Sequence, residues 1–356
     1  MVTVPIQHVA HPSSDPSNTN IFKYAAKAGS YDALSAYQIS QFFKRHVSTT
    51  KDNCNRVAAD ILKSPVSPTQ VQGGQSYTVA ADSGLVPKVV QFRSSKLDIE
   101  LIEHIRRSYG NFVPRCEYYT ALGDVHVYVW DLVPGPAFCR VRRQLLTLGM
   151  EPRLRQTVQD FARSIDTCDA YHTELLADQK TRFFASAWIN RPAVKQPSNL
   201  LDEYSRILDQ VSQGLPERLR SKLDEVRQEL PLLFRPDYPM VIQHDDLLEN
   251  NIHVDEATGH ITGIVDWADA MIAPFGVSLG GLETVLGVQT SNSWHFHPNH
   301  VKLREHFWDT FYIETGQISE ADRRSIEVAR LFGLFRTHGF EEGDARIVYL
   351  EALCML

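Results

Sequence analysis

One stretch of the sequence constrains the fold more than any other, the segment 241–266. It opens with apolar residues and continues with a polar run that carries His244, Asp246 and Asn251. Two β-rich runs follow, separated by a Glu-Ala-Thr-Gly turn, and the second run ends directly at Asp266. This pattern predicts a β-hairpin. Because the open ends of a hairpin lie side by side, we expect Asn251 and Asp266 within reach of each other.

These residue types suit phosphate chemistry. An amide oxygen and a carboxylate that converge on one point are good ligands for Mg²⁺, which takes few protein ligands when phosphates supply the rest. Asn251 and Asp266 are therefore candidate metal ligands. Asp246 would lie beside that metal and could accept the proton of an incoming hydroxyl. The spacing His-x-Asp-x-x-x-x-Asn is that of a phosphotransferase catalytic loop, in which His244 would orient the loop.

A polar hairpin whose Asp and Asn residues only form turns is the plain alternative. It explains neither the spacing nor the carboxylate at the end of the hairpin. We therefore favour a catalytic and metal-binding role for these residues.

The sequences HDDLLENNI and ITGIVDWADA together resemble the fungal branch of the aminoglycoside phosphotransferase-domain proteins. The resemblance covers about residues 70–340 and is most specific in the C-terminal half. It implies that Asp246 is the catalytic base, that Asn251 and Asp266 bind Mg²⁺, and that ATP is the phosphate donor. It does not name the acceptor, because fold and motif fix phosphate chemistry better than substrate.

The patterns along the chain predict an α+β, bilobal protein kinase-like fold, with a small antiparallel β-sheet N-lobe and a larger, mainly helical C-lobe. We expect an N-terminal arm and helices over residues 1–69, and a β-rich nucleotide-binding lobe over residues 70–134. The helical lobe, with the catalytic loop and the metal-binding hairpin, would occupy residues 135–356. Within the first part, one helical pattern runs from Tyr31 to Ile61.

A basic side chain on the third strand of such a lobe holds the α- and β-phosphates of the nucleotide. That strand reads Lys88-Val-Val-Gln-Phe-Arg93. Alternation places Gln91 and Arg93 on one face and the apolar Val90 and Phe92 on the other. Arg93 is thus the predicted phosphate ligand, while Lys88 lies at the strand entrance.

Three further elements are candidate parts of the nucleotide site. An acid on the following helix would orient Arg93; Asp98 is favoured slightly and Glu100 is second, with Glu103 and a solvent-exposed role for all three left open. The other two elements are a glycine loop that could offer backbone N–H groups to phosphates and an interlobe connector that could bind adenine. Their residues are Gly73, Gly74 and Ser76 for the loop, and Asp131 and Val133 for the connector.

Composition narrows the class of protein. The chain is 43% hydrophobic and 22% charged, which predicts a soluble globular protein. Its net charge of −7 and pI near 6.1 argue weakly against a nucleic-acid partner, which would want a basic face. No apolar run approaches the roughly 18 residues that span a bilayer. The five dispersed cysteines fit a reduced, cytoplasmic protein. We expect a small-molecule substrate as partner; the oligomeric state is left open.

Departures from protein kinases favour a small acceptor. Trp267 and Ala268 stand in place of Phe-Gly, and no Ala-Pro-Glu follows. Asp245 adds a carboxylate beside Asp246, which could raise a pKa. Two alternatives stay open: ATP-dependent activation of a carboxylate, with amide or ester formation, and a non-catalytic nucleotide-binding pseudokinase. A metal hydrolase built on the His-rich stretch 294–300 is remote, because its spacing fits no common zinc pattern.

Overall fold

The computed structural model describes residues 31–147, 149–163, 183–189, 199–290, 293–316, 318–339 and 345–354. The helices in these ranges are α1 Tyr31–Arg45, α2 Lys51–Leu62, α3 Ile99–Tyr109, α4 Phe138–Leu145, α5 Glu151–Ala162, α6 Phe184–Ile189, α7 Leu200–Gly214, α8 Glu217–Glu229, α9 Glu283–Leu286, α10 His300–Thr315, α11 Glu320–His338 and α12 Ala345–Cys354. The strands are β1 Val66–Pro68, β2 Ser76–Ala81, β3 Lys88–Arg93, β4 Cys116–Leu122, β5 Val125–Asp131, β6 Met240–Gln243, β7 Ile252–Val254, β8 Ile261–Ile264, β9 Met271–Pro274, β10 Gly287–Gln289 and β11 Trp294–Phe296.

Strands β1 to β5 form one antiparallel sheet in the order β1-β2-β3-β5-β4. The described chain beyond β5 is mainly helical and carries three two-stranded sheets. This arrangement confirms the predicted α+β, bilobal kinase-like fold. The sheet begins at Val66, ahead of the predicted lobe boundary at residue 70.

The two faces of the sheet bury different cores. Val90 and Phe92 are fully buried on the face covered by α1 and α2. Tyr128 and Trp130 of β5 belong to the core that continues into the C-lobe. The alternation predicted for β3 is confirmed, because Gln91 and Arg93 point away from the helices and line the cleft between the lobes.

Where the sequence predicts one helical pattern from Tyr31 to Ile61, the structure forms two helices, α1 and α2. The link between them wraps the β4–β5 turn, where Thr49 donates to the carbonyl of Leu122 at 3.1 Å and His46 binds Asp124 at 2.7 Å. Hydrogen bonds from Ser48 and His46 lower the pKa of Asp124 to about 2. Tertiary hydrogen bonds thus break a pattern that periodicity alone makes continuous.

The glycine loop is longer than a hairpin turn, because residues 71–72 do not form the strand that would pair with β2. The place of that strand in the sheet is taken by β1, whose Pro68 is tolerated because β1 is an edge strand. The loop is closed instead by the side chain of Gln72. Its Oε1 accepts from the Thr78 N–H at 3.0 Å and its Nε2 donates to the Thr78 carbonyl at 2.8 Å. An amide side chain replaces two ladder hydrogen bonds.

The C-lobe holds more strands than predicted. Besides the hairpin β7–β8, strand β6 before the catalytic loop pairs with β9 after the hairpin, and β10 pairs with β11. The sequence patterns predict only the hairpin within a mainly helical lobe and miss the two further strand pairs. Runs of three or four residues carry too little periodicity to be told from helix or loop.

The interlobe connector packs closely on the hairpin. A Cβ on Gly263 of β8 would lie 2.6 Å from Cγ1 of Val133, and one on Gly135 would lie 2.2 Å from the carbonyl of Val254. Gly135 also has φ of +77°, which other residues adopt at a cost. These close approaches hold the hairpin against the interlobe connector. They therefore also fix the two hairpin ends, which carry Asn251 and Asp266.

Within the described ranges, none of the helices combines the length and apolar character that a membrane crossing demands. The four described cysteines are free and buried, and burial raises the pKa of each thiol to about 12: Cys54, Cys116, Cys139 and Cys354.

Candidate active site

A cavity of about 450 Å³ lies between the sheet and the helical lobe. Its walls come from the glycine loop, strand β3, the connector, the catalytic loop and the end of the hairpin. Predicted residues that line it are Gly73, Ser76, Arg93, Asp131, Val133, Asn251 and Asp266. Its volume is typical of a small-molecule or cofactor site.

His244 holds the catalytic loop to the hairpin. Its Nδ1 accepts from the Asp246 N–H at 3.2 Å, so Nε2 carries the proton and donates to the carbonyl of Val265 at 2.8 Å. The ring is almost fully buried against the indole of Trp267. Burial lowers the pKa of His244, which agrees with a neutral imidazole that links two loops.

Asn251 joins the catalytic loop to the other hairpin end. Its Nδ2 donates to the carbonyl of Asp246 at 2.8 Å and to the Asp246 carboxylate at 3.2 Å. These bonds fix the amide so that Oδ1 faces the cavity side, where Asn250 donates to it at 2.9 Å. Its carbonyl accepts from the Val265 N–H at 2.9 Å, so Asn251 and Asp266 flank the same pair of strands as predicted.

Asp266 stands in the left-handed region, with φ of 62° and ψ of 53°. This conformation is uncommon outside glycine, although Asp tolerates it better than most residues. The residues after it turn at once into a short 3₁₀ helix from Trp267 to Asp269. Backbone strain of this kind clusters at functional sites. The strained turn aims the half-exposed Asp266 carboxylate at the lobe above.

Arg93 meets Asp266 across the cleft. Its Nη1 lies 3.2 Å from Oδ1 of Asp266, although 173 residues separate the two in sequence. The guanidinium is buried, with 6% of the side chain exposed, and its Nε has no hydrogen-bond partner among the described residues. A buried charged donor without a partner is costly, and an anion in the cavity would satisfy it.

The structure does not place the favoured acids against Arg93. The Asp98 carboxylate accepts from the Leu101 N–H at 3.0 Å and caps helix α3, and Glu100 is exposed in its first turn. Glu103 pairs with Arg106 at 3.5 Å. An Asp directly before an apolar helical run is a standard N-cap signal, and this signal identifies the role of Asp98 from sequence.

The glycine loop approaches the end of the hairpin that carries Asp266. A Cβ on Gly73 would lie 3.8 Å from Oδ2 of Asp266 and 3.2 Å from Oγ of Ser76. Ser76 is buried and lines the cavity. Gly74 does not line it; its carbonyl accepts from Arg45, and a Cβ there would meet nothing within 4 Å. Of the two glycines, Gly73 and not Gly74 therefore lies next to Asp266.

At the connector, the cavity is lined by apolar side chains and by backbone groups that make no hydrogen bond among the described residues. Asp131 pairs with Lys88 at 2.7 Å. Lys88 therefore lies beside the connector, at the entrance of strand β3, as predicted. The backbone of Val133 makes no hydrogen bond within the described chain. The indole of Trp130 forms the wall, held by a 3.1 Å hydrogen bond to Oε1 of Gln91. Sequence reasoning did not identify this pair, because it joins neighbouring strands.

The extra carboxylate of the catalytic loop has its own partner. Asp245 accepts from Nη1 and Nη2 of Arg336, on helix α11, at 2.5 and 2.7 Å. Asp246 is open to solvent on one side and buried on its other sides. The pKa of its carboxyl group is raised, mainly by this burial and next by the negative charge of Asp266. The hydrogen bond from Asn251 opposes that rise, and Asp245 adds to it, in the direction predicted.

Preformed clusters of three or more His, Cys, Asp or Glu that could hold a metal are absent from the described residues. A cation at Asn251 and Asp266 would thus depend on further oxygens from a ligand or water, which is the usual situation for Mg²⁺. In the His-rich stretch, His297 is buried and accepts from the Asn299 N–H, while His300 stacks on Phe296.

The chain is similar to one described protein family and to several solved structures. Residues 113–282 match the model of a family described as the phosphotransferase enzyme family, APH. Among solved structures, an aminoglycoside-3'-phosphotransferase of type VIII is 17% identical with a TM-score of 0.46, over 79% of this chain and 98% of that chain. A choline/ethanolamine kinase family protein from Mesorhizobium loti is 13% identical with a TM-score of 0.49, over 85% and 93%. An ethanolamine kinase from Plasmodium vivax is 15% identical with a TM-score of 0.43, over 98% and 97%. Comparison with curated proteins gives no match.

The family match includes the connector, the catalytic loop and the whole β7–β8 hairpin. It therefore covers Asn251 and Asp266, which line the cavity, and Asp246, which is hydrogen-bonded to Asn251. Over residues 113–282 the chain is therefore similar to the APH phosphotransferase enzyme family.

Proposed function

We propose that this chain is an ATP- and Mg²⁺-dependent phosphotransferase that transfers the γ-phosphate to a hydroxyl of a small molecule. The observation that carries the proposal is the convergence of three groups at one end of the interlobe cavity. These are the buried Arg93 with its unpartnered Nε, the strained Asp266, and the hydrogen-bonded pair of Asn251 and Asp246.

The cavity suits a nucleotide along its length. The unpaired backbone of Val133 and the indole of Trp130 offer a site for adenine at the connector end. Arg93 offers guanidinium donors for phosphate at the other end, under the Gly73 loop. Oδ1 of Asn251 and the Asp266 carboxylate would hold Mg²⁺, which neutralises phosphate charge and polarises the P–O bond when bound.

Asp246 has the position of the base. The acceptor oxygen forms a bond to the γ-phosphorus, the bond from that phosphorus to the β–γ bridging oxygen breaks, ADP leaves, and the hydroxyl proton passes to the Asp246 carboxylate. Asn251 holds Asp246 at two points, its main-chain carbonyl and its carboxylate. His244 keeps the loop against the hairpin and takes no proton in this scheme.

The acceptor would approach Asp246 from the C-lobe. The absence of a protein-kinase activation segment in the sequence and the resemblance to the fungal branch lead us to propose a small alcohol of fungal metabolism, phosphorylated in the cytoplasm. The proposed division is an N-terminal arm and helices over residues 1–69, a nucleotide-binding lobe over residues 70–134 and a helical lobe that receives the acceptor over residues 135–356. No membrane or nucleic-acid partner is proposed.

Replacing Arg93 tests the nucleotide site against a matched control in the same strand. We expect Arg93→Met to weaken ATP binding by about 10- to 100-fold, because a charge-assisted hydrogen bond to phosphate contributes about 1.5–3 kcal/mol. Lys88→Met removes an equal charge at the connector, where a half-exposed ion pair contributes at most about 1 kcal/mol, and should change affinity only a few-fold. Calorimetric titration with Mg·ATP measures both. Equal losses in the two variants would contradict the assignment.

A further inference from the structure

Helix α1 lies outside the residues matched to the phosphotransferase family, yet it contacts both lobes beside the cavity. At its first residue, the Tyr31 hydroxyl donates to Oε1 of Glu249 in the catalytic loop at 2.8 Å. At its second, Asp32 accepts from Nη1 of Arg140 on α4, just after the connector, at 2.5 Å. An N-lobe helix is thus fastened to the C-lobe at a point other than the connector.

The same helix also holds the glycine loop. Oγ of Ser35 accepts from the Gln72 N–H at 3.2 Å and donates to the Gln70 carbonyl at 3.1 Å. At the last residue of α1, Arg45 donates to the carbonyl of Gly74. One helix therefore binds the catalytic loop at its start, the approach to the glycine loop in its middle and the glycine loop itself at its end.

Glu249 is the residue through which α1 reaches the catalytic loop, two positions before Asn251. Its Oε1 accepts a second hydrogen bond, from Nη1 of the buried Arg142 at 2.8 Å. Its carbonyl accepts from the Cys139 N–H at 2.9 Å. Burial, and then the Glu249 carboxylate, raises the pKa of Tyr31, which keeps the hydroxyl protonated as a donor. Both the side chain and the main chain of Glu249 are held.

We propose that α1 is an interlobe clasp, and that Tyr31 and Glu249 are positioning residues for the loop that carries Asn251. The inference rests on the proposed function, since the two loops that α1 joins are the ones expected to enclose the triphosphate. Holding them together reduces the ordering that nucleotide binding requires, so affinity for Mg·nucleotide depends on the clasp. A contact that only stabilises the fold would leave that affinity unchanged.

The test compares Tyr31→Phe with Tyr37→Phe in the full chain. Tyr31→Phe removes one hydroxyl and keeps the ring; Tyr37 lies on the same helix with 61% of its surface exposed. We expect Tyr31→Phe to weaken binding of Mg²⁺ with the non-hydrolysable analogue AMP-PNP about tenfold, the effect of one charge-assisted hydrogen bond. Without nucleotide, amide hydrogen exchange over residues 244–251 should be faster, because the Leu248 and Asn251 amides bond within that loop. Tyr37→Phe should change neither.

A second variant shows whether the effect passes through Glu249. In a Glu249→Gln background, Tyr31→Phe should weaken binding much less than in the wild type, because the charge-assisted bond is already lost. Wild-type affinity in Tyr31→Phe overturns the clasp, whether exchange is faster or not. Additive losses in the double variant overturn the role of Glu249. If the wild type binds no nucleotide, the proposed function fails, and the exchange measurement still decides whether α1 holds the catalytic loop.

Discussion

Asp246→Asn is expected to lower the rate of phosphate transfer by about 10²- to 10⁴-fold while leaving Mg·ATP affinity within a few-fold of the wild type. The loss is the usual contribution of a positioned general base. Affinity should persist because the amide keeps the size of the carboxylate and an oxygen that can accept from Nδ2 of Asn251. Single-turnover formation of ADP, with an acceptor or with water in its place, measures the rate, and calorimetry measures the affinity.

The adjacent Asp245 is the matched control for this prediction. Its carboxylate is bonded twice by Arg336, so Asp245→Asn should lower the free energy of unfolding by about 1–3 kcal/mol. Below its unfolding temperature, that variant should transfer phosphate at a rate close to the wild type. If Asp245→Asn loses the rate and Asp246→Asn does not, the assignment of the base is wrong.

Asp266→Asn is expected to abolish the dependence of nucleotide binding on Mg²⁺. In the wild type, ATP should bind more tightly with Mg²⁺ than with a chelator, and in the variant the two affinities should be similar. Asn is chosen over Ala because it tolerates φ of 62° and preserves the size of the side chain. Loss of the metal should lower the transfer rate about 10³-fold or more, since such stabilisation contributes several kcal/mol.

Asp269→Asn is the control that distinguishes metal binding by Asp266 from a general effect of local negative charge. Asp269 lies three residues further on, is exposed, and its charge also reaches Asp246. This control should bind Mg·ATP as the wild type does. An equal loss of magnesium dependence in both variants would mean that Asp266 acts through local charge and not as a ligand.

The positions of candidate residues that agree with the sequence patterns are set by local sequence. The hairpin and the alternation of β3 depend on neighbouring residues, so patterns of period two identify Arg93 as facing the cleft. The His-x-Asp spacing likewise places His244 and Asp246 on one short loop, where the Asp246 N–H meets the imidazole.

The parts that were not predicted depend on contacts between distant segments. Arg93 and Asp266 are 173 residues apart, Asp245 and Arg336 are 91 apart, and Tyr31 and Glu249 are 218 apart. No periodicity encodes such pairs; they arise only when segments far apart in the chain pack together. The same reason explains the unpredicted pairing of β6 with β9 across the catalytic loop.

Phosphorus NMR of the wild type incubated with Mg·ATP and a panel of small alcohols tests the central claim most directly. The account predicts that the γ-phosphate signal is replaced by a phosphomonoester signal in step with ADP, and that Asp246→Asn removes this signal. Release of inorganic phosphate that depends on a carboxylate together with an amine or alcohol would contradict the account in favour of carboxylate activation. ATP that binds but stays intact with every acceptor, and with water, would contradict it in favour of a non-catalytic nucleotide-binding protein.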